Sequence, residues 1–271
     1  MGKIKITFLF LFSFFSGYSV LAQQVEVGIN AGGASYLGDL NQYNPVKISG
    51  INAGIFAKLN FDPHFGLGLH YNYGKVKATD SHSSNAQFRD RNLSFYTPLN
   101  EVSLLLDFNL FDLYSYGPKR RFTPYIFAGV GAVIFQPKTE YKDNEYLLRL
   151  YNTEGQSKSY KSYTITIPYG VGVRYQLKNN WTIFSQVGYR SPLTDYIDDV
   201  SGVYPKANAW TGTSTANPTI SKALSDRSGE QTGVYLGDPG TQRGDFRKRD
   251  NYMFVGIGIS YTFVSQKCFT F

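Results

Sequence analysis

The densest set of carboxylates in the chain is the run Thr194-Asp195-Tyr196-Ile197-Asp198-Asp199. Oxygen ligands of this kind suit Ca²⁺, but the spacing of Asp195, Asp198 and Asp199 is not that of an EF-hand loop. A solvated or turn-capping role is the ordinary reading of such a cluster. His64, His70 and His82 are scattered and lack metal-ligand spacing, and Cys268 stands alone, so no zinc or other metal site is expected. The Gly-x-Gly pairs Gly66/Gly68, Gly129/Gly131, Gly170/Gly172 and Gly256/Gly258 do not open a helix. They read as small residues on curved strands and not as a phosphate or dinucleotide cradle. No Ser-His-Asp or Cys-His set can be placed, so neither an enzyme nor a cofactor is expected. Charge is mixed along the chain, and no basic run suggests nucleic acid.

One further constellation is suited to binding. Tyr114 and Tyr116 precede Lys119, Arg120 and Arg121 in a single connection. Aromatic and Arg side chains are enriched at protein interfaces, so this segment is either a docking surface on the periplasmic face, an ordinary solvated turn, or a set of basic residues near anionic lipid.

The elements that must carry these residues follow from composition and periodicity. The chain has 271 residues, of which 17% are charged and 17% aromatic, with 27 Gly, 22 Tyr, 21 Phe and a formal net charge of +7. That composition excludes a disordered chain, and one Cys excludes a disulfide scaffold. Lys3 and Lys5, the apolar stretch Phe8 to Phe15 and the small residue Ala22 ahead of Gln23 have the layout of a secretory signal, cleaved between Ala22 and Gln23. Residues 1–22 would be removed and 23–271 would form one domain. No later apolar run approaches the length of a helical membrane span.

Eight segments alternate apolar and polar or small residues with period two: about 25–31, 51–61, 65–76, 100–110, 123–135, 163–176, 181–189 and 251–263. Their connections alternate long and short. This predicts an all-β fold: an eight-stranded antiparallel transmembrane β-barrel of the outer membrane, with long extracellular loops and short periplasmic turns. A soluble lipocalin-like barrel would instead direct its apolar face inwards. In the membrane-spanning reading the polar face, with Glu26, Asn30, Lys58, Asn60, His70, Asn72, Glu101, Asp107, Arg174, Gln176 and Gln186, fills the interior. Eight strands leave room only for side chains, so a plugged interior with paired charges is expected. The connection from Arg190 to Asp250 is long enough to be functional or disordered, and its stretch Thr211 to Pro218 reads as mobile.

Several segments together resemble PorG-type outer-membrane proteins of the type IX secretion system. They are GGASYLGDL (32–40), RNLSF (91–95), DFNLFD (107–112), TPYIFAGVG (123–131), TDYIDDVSG with Tyr204 (194–204), Arg243-Gly244, Asn251-Tyr252 and YTF (261–263). The resemblance implies an integral outer-membrane barrel that associates with a periplasmic ring of PorK-like lipoprotein and PorN-like protein, the counterparts of GldK and GldN in gliding bacteria. It implies an anchoring or assembly role, with outer-membrane lipid as the other partner and no small-molecule substrate. Topology, and not the resemblance, places the ring contact at Tyr114, Tyr116, Lys119, Arg120 and Arg121. The alternative is a surface barrel whose long loops hold a ligand, unrelated to secretion.

Overall fold

The computed structural model describes residues 24–113, 121–177, 180–211, 215–245 and 247–263. The proposed cleavage site at Ala22 and Gln23 and the residues Tyr114, Tyr116, Lys119, Arg120 and Cys268 lie outside them. The strands are β1 (Gln24–Leu37), β2 (Ile48–Asn60), β3 (Phe65–Thr79), β4 (Ser94–Asn109), β5 (Phe122–Phe135), the short β6 (Lys138–Tyr141) and β7 (Asn144–Leu147), then β8 (Tyr163–Gln176), β9 (Trp181–Pro192) and β10 (Asn251–Phe263). Among the described residues the order β3-β2-β1-β10-β9-β8-β5-β4 returns on itself through a β3–β4 pairing, giving a closed eight-stranded antiparallel barrel. β1 and β10 pair from Val25↔Phe263 to Leu37↔Asn251. Where they cross, Gly32 lies opposite Gly256, and a Cβ on Gly32 would strike the Val255 carbonyl, so glycine is required there.

The barrel is inside out. Ile29, Ile55, Leu69, Val130, Val171 and Ile257 point outwards, with Ile257 70% exposed, while Glu26 on the inner face is 0% exposed. An apolar outer band around a polar interior is the pattern of a membrane-spanning barrel. No described helix is long and apolar enough to cross a membrane; the crossing falls to strands. The connections around 61–64, 110–121 and 177–180 lie at one end, and the long loops lie at the other, which faces outwards in outer-membrane barrels. At the turn end Phe65, Phe108, Phe122, Tyr175, Trp181, Tyr261 and Phe263 are exposed or partly exposed. Trp181 meets Tyr261 edge-on at 5.1 Å, and such rings suit an interfacial girdle.

The interior is filled with ion pairs. Lys58 bridges Glu26 (2.8 Å) and Asp107 (3.2 Å). Arg174 pairs with Asp107 and lies 3.6 Å over the Tyr125 ring. Higher up, Arg190 faces Glu101 at 3.5 Å and Tyr252 donates its hydroxyl to Glu101 at 2.6 Å. Three acids thus meet three bases, all almost fully buried. Burying ions one at a time would be prohibitive, and mutual pairing is what permits it.

At the loop end the strands run past the predicted limits, and their apolar phase inverts. Along β4, Val102, Leu104 and Leu106 face out, whereas Phe95 and Leu99 face in and are buried. β1 does the same with Ala34 and Tyr36, β5 with Val133 and Phe135, and β10 with Tyr252 and Phe254. These inward residues join Val76, Leu148, Ile197 and Leu224 in one apolar core. Above the lipid, water is outside, so apolar side chains turn inwards. The predicted starts near residues 51 and 100 and the end near 31 are corrected accordingly to β2 at Ile48, β4 at Ser94 and β1 at Leu37.

The described residues of the long 190–250 connection fold over this core, to which they give Ile197 and Leu224. Its helix α2 (Pro218–Ser225; α1 is Ala86–Arg91) is capped by Asn217, whose side chain accepts from the N–H groups of Thr219 and Ile220. Leu224 is buried in the core, and Ala216 donates to the Leu150 carbonyl at 3.0 Å. The described part of the stretch read as mobile, 211 and 215–218, is therefore held by backbone bonds and a helix cap.

Candidate functional site

Beneath the outer loops, the fold gathers carboxylates that are far apart in the chain. Asp39 follows β1, Asp195 follows β9 and Asp250 immediately precedes β10. Each offers one oxygen, and the three oxygens lie within 4.8 Å of one another. Asp39 and Asp250 are each 1% exposed and Asp195 is half-buried. The site is shaped by Gly38: a Cβ there would overlap Asp250 Oδ1 and the Tyr36 hydroxyl.

Asp39 and Asp195 are each anchored through one oxygen and Asp250 through both. Asp39 Oδ1 accepts the Asp245 N–H, Asp195 Oδ2 accepts the Ser201 hydroxyl at 2.9 Å, and Asp250 Oδ2 accepts the Ile197 N–H at 2.9 Å. Tyr36 donates to Asp198 and reaches Asp250 Oδ1 at 3.3 Å. Nearby cations are engaged elsewhere. Arg91 forks onto Asp80 at 2.7 and 2.8 Å and reaches only the backbone carbonyl of Asp39. Arg243 binds Glu154 and the Asp199 carbonyl.

Burial raises these acids first, and neighbouring carboxylates add to it. Asp39 is pushed up to about 7 by burial and the charges of Asp245 and Asp195. Asp195 rises to about 6, mainly by burial. Asp198 and Asp250 are raised well above the usual carboxylate range by burial and by acidic neighbours. Asp199 rises to about 6 through burial, opposed by Arg243 and by hydrogen bonds from Thr153 and Tyr160.

The carboxylate run singled out in the sequence is thus divided three ways. Asp195 enters the cluster, Asp198 turns to Tyr36, and Asp199 accepts from Thr153 (2.5 Å) and Tyr160 (2.6 Å). Asp39 and Asp250 had no sequence signal as ligands, although Asp39 lies in one of the segments quoted above. Among the histidines, His70 is buried in the lumen, stacked on Phe56 at 4.9 Å, and His64 holds the Asn109 carbonyl at 2.8 Å. Neither approaches the acidic site closely enough to join it as a ligand. Of the basic turn, Arg121 is described: it is exposed, and its carbonyl accepts the Gln176 N–H at 2.7 Å. Leu113, on the other side of that turn, is fully buried.

Three comparisons bear on the chain. The model of a family described as "Domain of unknown function (DUF6089)" matches residues 5–218. No curated protein matches. Solved structures with a similar course include the N-terminal β-barrel domain of Pseudomonas aeruginosa OprF (13% identity, 88% of this chain and 97% of that one, TM-score 0.36). Neisserial surface protein A gives 10% identity, 91% and 100% coverage and a TM-score of 0.40. Ail, the attachment invasion locus protein of Yersinia pestis, gives 9%, 90% and 100%, and 0.40. Identity and superposition are low throughout, and the barrel is established by the strand pairing of this chain.

Proposed function

The chain belongs to the DUF6089 family, and from its filled barrel and its PorG-like segments we propose that it is a non-enzymatic integral component of the outer membrane that tethers a periplasmic assembly. The observation that carries this reading is the closure of the barrel. Three buried acids and three buried bases fill the membrane-level interior, and an apolar core closes the outer end. A barrel blocked at both levels acts through what its rims present.

The PorG-like segments support a specific assembly, the PorK/PorN-like ring of a type IX secretion system, with the barrel as its membrane anchor. The signal-like N-terminus supports export. The turn carrying Tyr114, Tyr116, Lys119, Arg120 and Arg121 is our candidate contact, since its base is held by Leu113, by the Phe111 N–H to Thr123 hydroxyl bond (2.8 Å) and by the Arg121 carbonyl. A fixed base lowers the ordering cost of binding at this turn.

The test is affinity capture of the tagged full chain from detergent-solubilised outer membrane, with partners identified by mass spectrometry. Recovery of PorK- and PorN-like proteins, reduced by the Lys119→Ala/Arg120→Ala/Arg121→Ala triple variant, supports the reading. Their absence where the ring itself survives solubilisation would overturn it. A second reading, a surface barrel whose outer loops hold a ligand, is favoured by the hydrogen-bonded, partly helical course of the described residues in the 190–250 connection. Loss of function on cap deletion with ring association intact would select that reading.

A further inference from the structure

The acidic site in the cap has a charge imbalance that the barrel interior does not. In the lumen every described acid named above has a base against it. In the cap, no described Lys or Arg forms an ion pair with Asp39, Asp195 or Asp250. Arg91 and Arg243, the buried cations of the cap, are taken by Asp80 and Glu154, and Arg247 pairs with Asp245.

A second observation concerns the oxygens themselves. With Asp39 Oδ1 held by the Asp245 N–H, its Oδ2 is closed off from solvent and has no hydrogen-bond donor. The same is true of Asp195 Oδ1, whose partner oxygen is held by Ser201. A carboxylate oxygen buried without a donor is costly, and a mutually repelling pair more so. The backbone and hydroxyl anchors hold the other oxygen of each carboxylate and leave Asp39 Oδ2 and Asp195 Oδ1 buried without a donor.

We infer that Asp39, Asp195 and Asp250 form a Ca²⁺ site that ties the β1–β2 loop to both ends of the long β9–β10 connection. The donors are all hard oxygens, with no sulfur or imidazole, which suits Ca²⁺ over softer metals. Ca²⁺ sits 2.3–2.6 Å from its ligands, so oxygens on opposite sides of one ion are at most about 4.6–5.2 Å apart. The observed spacing, within 4.8 Å, falls inside that reach. One divalent ion supplies the missing positive charge and the missing partners of Asp39 Oδ2 and Asp195 Oδ1. The site is independent of any periplasmic partner and stands or falls separately from the anchor reading.

The experiment uses the full mature chain in detergent, stripped with EGTA and then titrated with Ca²⁺. Calorimetry reads binding, and the thermal midpoint of Trp210 fluorescence reads the cap, because the Trp210 indole N–H is held by the Asn152 carbonyl at 2.9 Å. Trp181→Phe removes the second tryptophan signal. One ion per chain should bind, with a dissociation constant of about 1 mM or tighter, the range of extracellular Ca²⁺ modules. Ca²⁺ should raise the midpoint, and Asp39→Asn and Asp195→Asn should each weaken binding at least about tenfold. In EGTA the Asp39→Asn chain should melt at or above its parent, since a crowded acid that burial and acidic neighbours disfavour is replaced by a neutral amide. A purely structural carboxylate predicts the reverse: a lower midpoint in EGTA and no change in Ca²⁺ response. No saturable binding up to about 10 mM Ca²⁺, or unchanged binding in Asp39→Asn, overturns the assignment.

Discussion

The hydroxyl of Tyr36, near the top of β1, donates to the carboxylate of Asp198, which is 162 positions further along the chain. Both side chains are almost fully buried, and the bond joins a barrel strand to the loop folded over it. Tyr36 also packs edge-on against Phe95 at 4.9 Å. Tyr36→Phe keeps that ring contact and removes the donor, so the cap should lose about 1–3 kcal/mol. The Trp210 melt of a Trp181→Phe background should show this as a lowered midpoint, while the girdle at the turn end is unaffected.

Lys58 is shared by Glu26 and Asp107. Lys58→Met leaves two carboxylates buried with one base fewer and should destabilise the barrel by roughly 3–5 kcal/mol. Heat-modified migration on gels, read as the temperature at which the folded band disappears, should drop markedly. Adding Glu26→Gln to Lys58→Met should recover part of the loss, because the remaining Asp107 still has Arg174.

The closed interior predicts that the chain inserted in planar bilayers shows no conductance of porin size. Steady large-conductance steps from the intact chain would contradict the ion-paired lumen.

Asp199 is fully buried, and its acid constant in the folded cap is raised to about 6, above its ordinary value near 3.8. The folded state therefore holds this proton more tightly than the unfolded one. The stability it contributes is complete below about pH 4 and is lost as pH rises through about pH 6, a change of up to about 3 kcal/mol. In EGTA, the Trp210 midpoint should fall between pH 4 and pH 6.5. Asp199→Asn, which tolerates the left-handed backbone at this position (φ 69°), should flatten that part of the profile.

The membrane portion was legible because lipid imposes one rule on it: apolar out, polar in, period two. Val102, Leu104 and Leu106 obey that rule, and so do the corresponding residues of the other seven strands. Phe95 and Leu99 follow the opposite rule in the same strand, so the alternation appeared to stop where only its phase changed. The polar inner face named from sequence is the inner face of the barrel, with Gln176 and Gln186 less deeply buried than the rest. The periodicity places Arg190 at the start of a loop, yet it lies inside β9 and stacks 4.5 Å over Phe254. The acidic site is illegible because its three acids come from two loops and from opposite ends of one of them, whereas the conspicuous run 195–199 is dispersed by the backbone turn at Asp199.

The length of β4 sets how far the cap stands from the bilayer. Sixteen residues at about 3.4 Å each, tilted about 40°, rise about 40 Å, against an apolar band about 25 Å tall. The surplus of about 15 Å lies at the loop end, where Phe95 and Leu99 point inwards. The barrel wall therefore works as a pedestal, carrying the cap clear of the lipid headgroups, where a soluble macromolecule can reach it without touching the membrane.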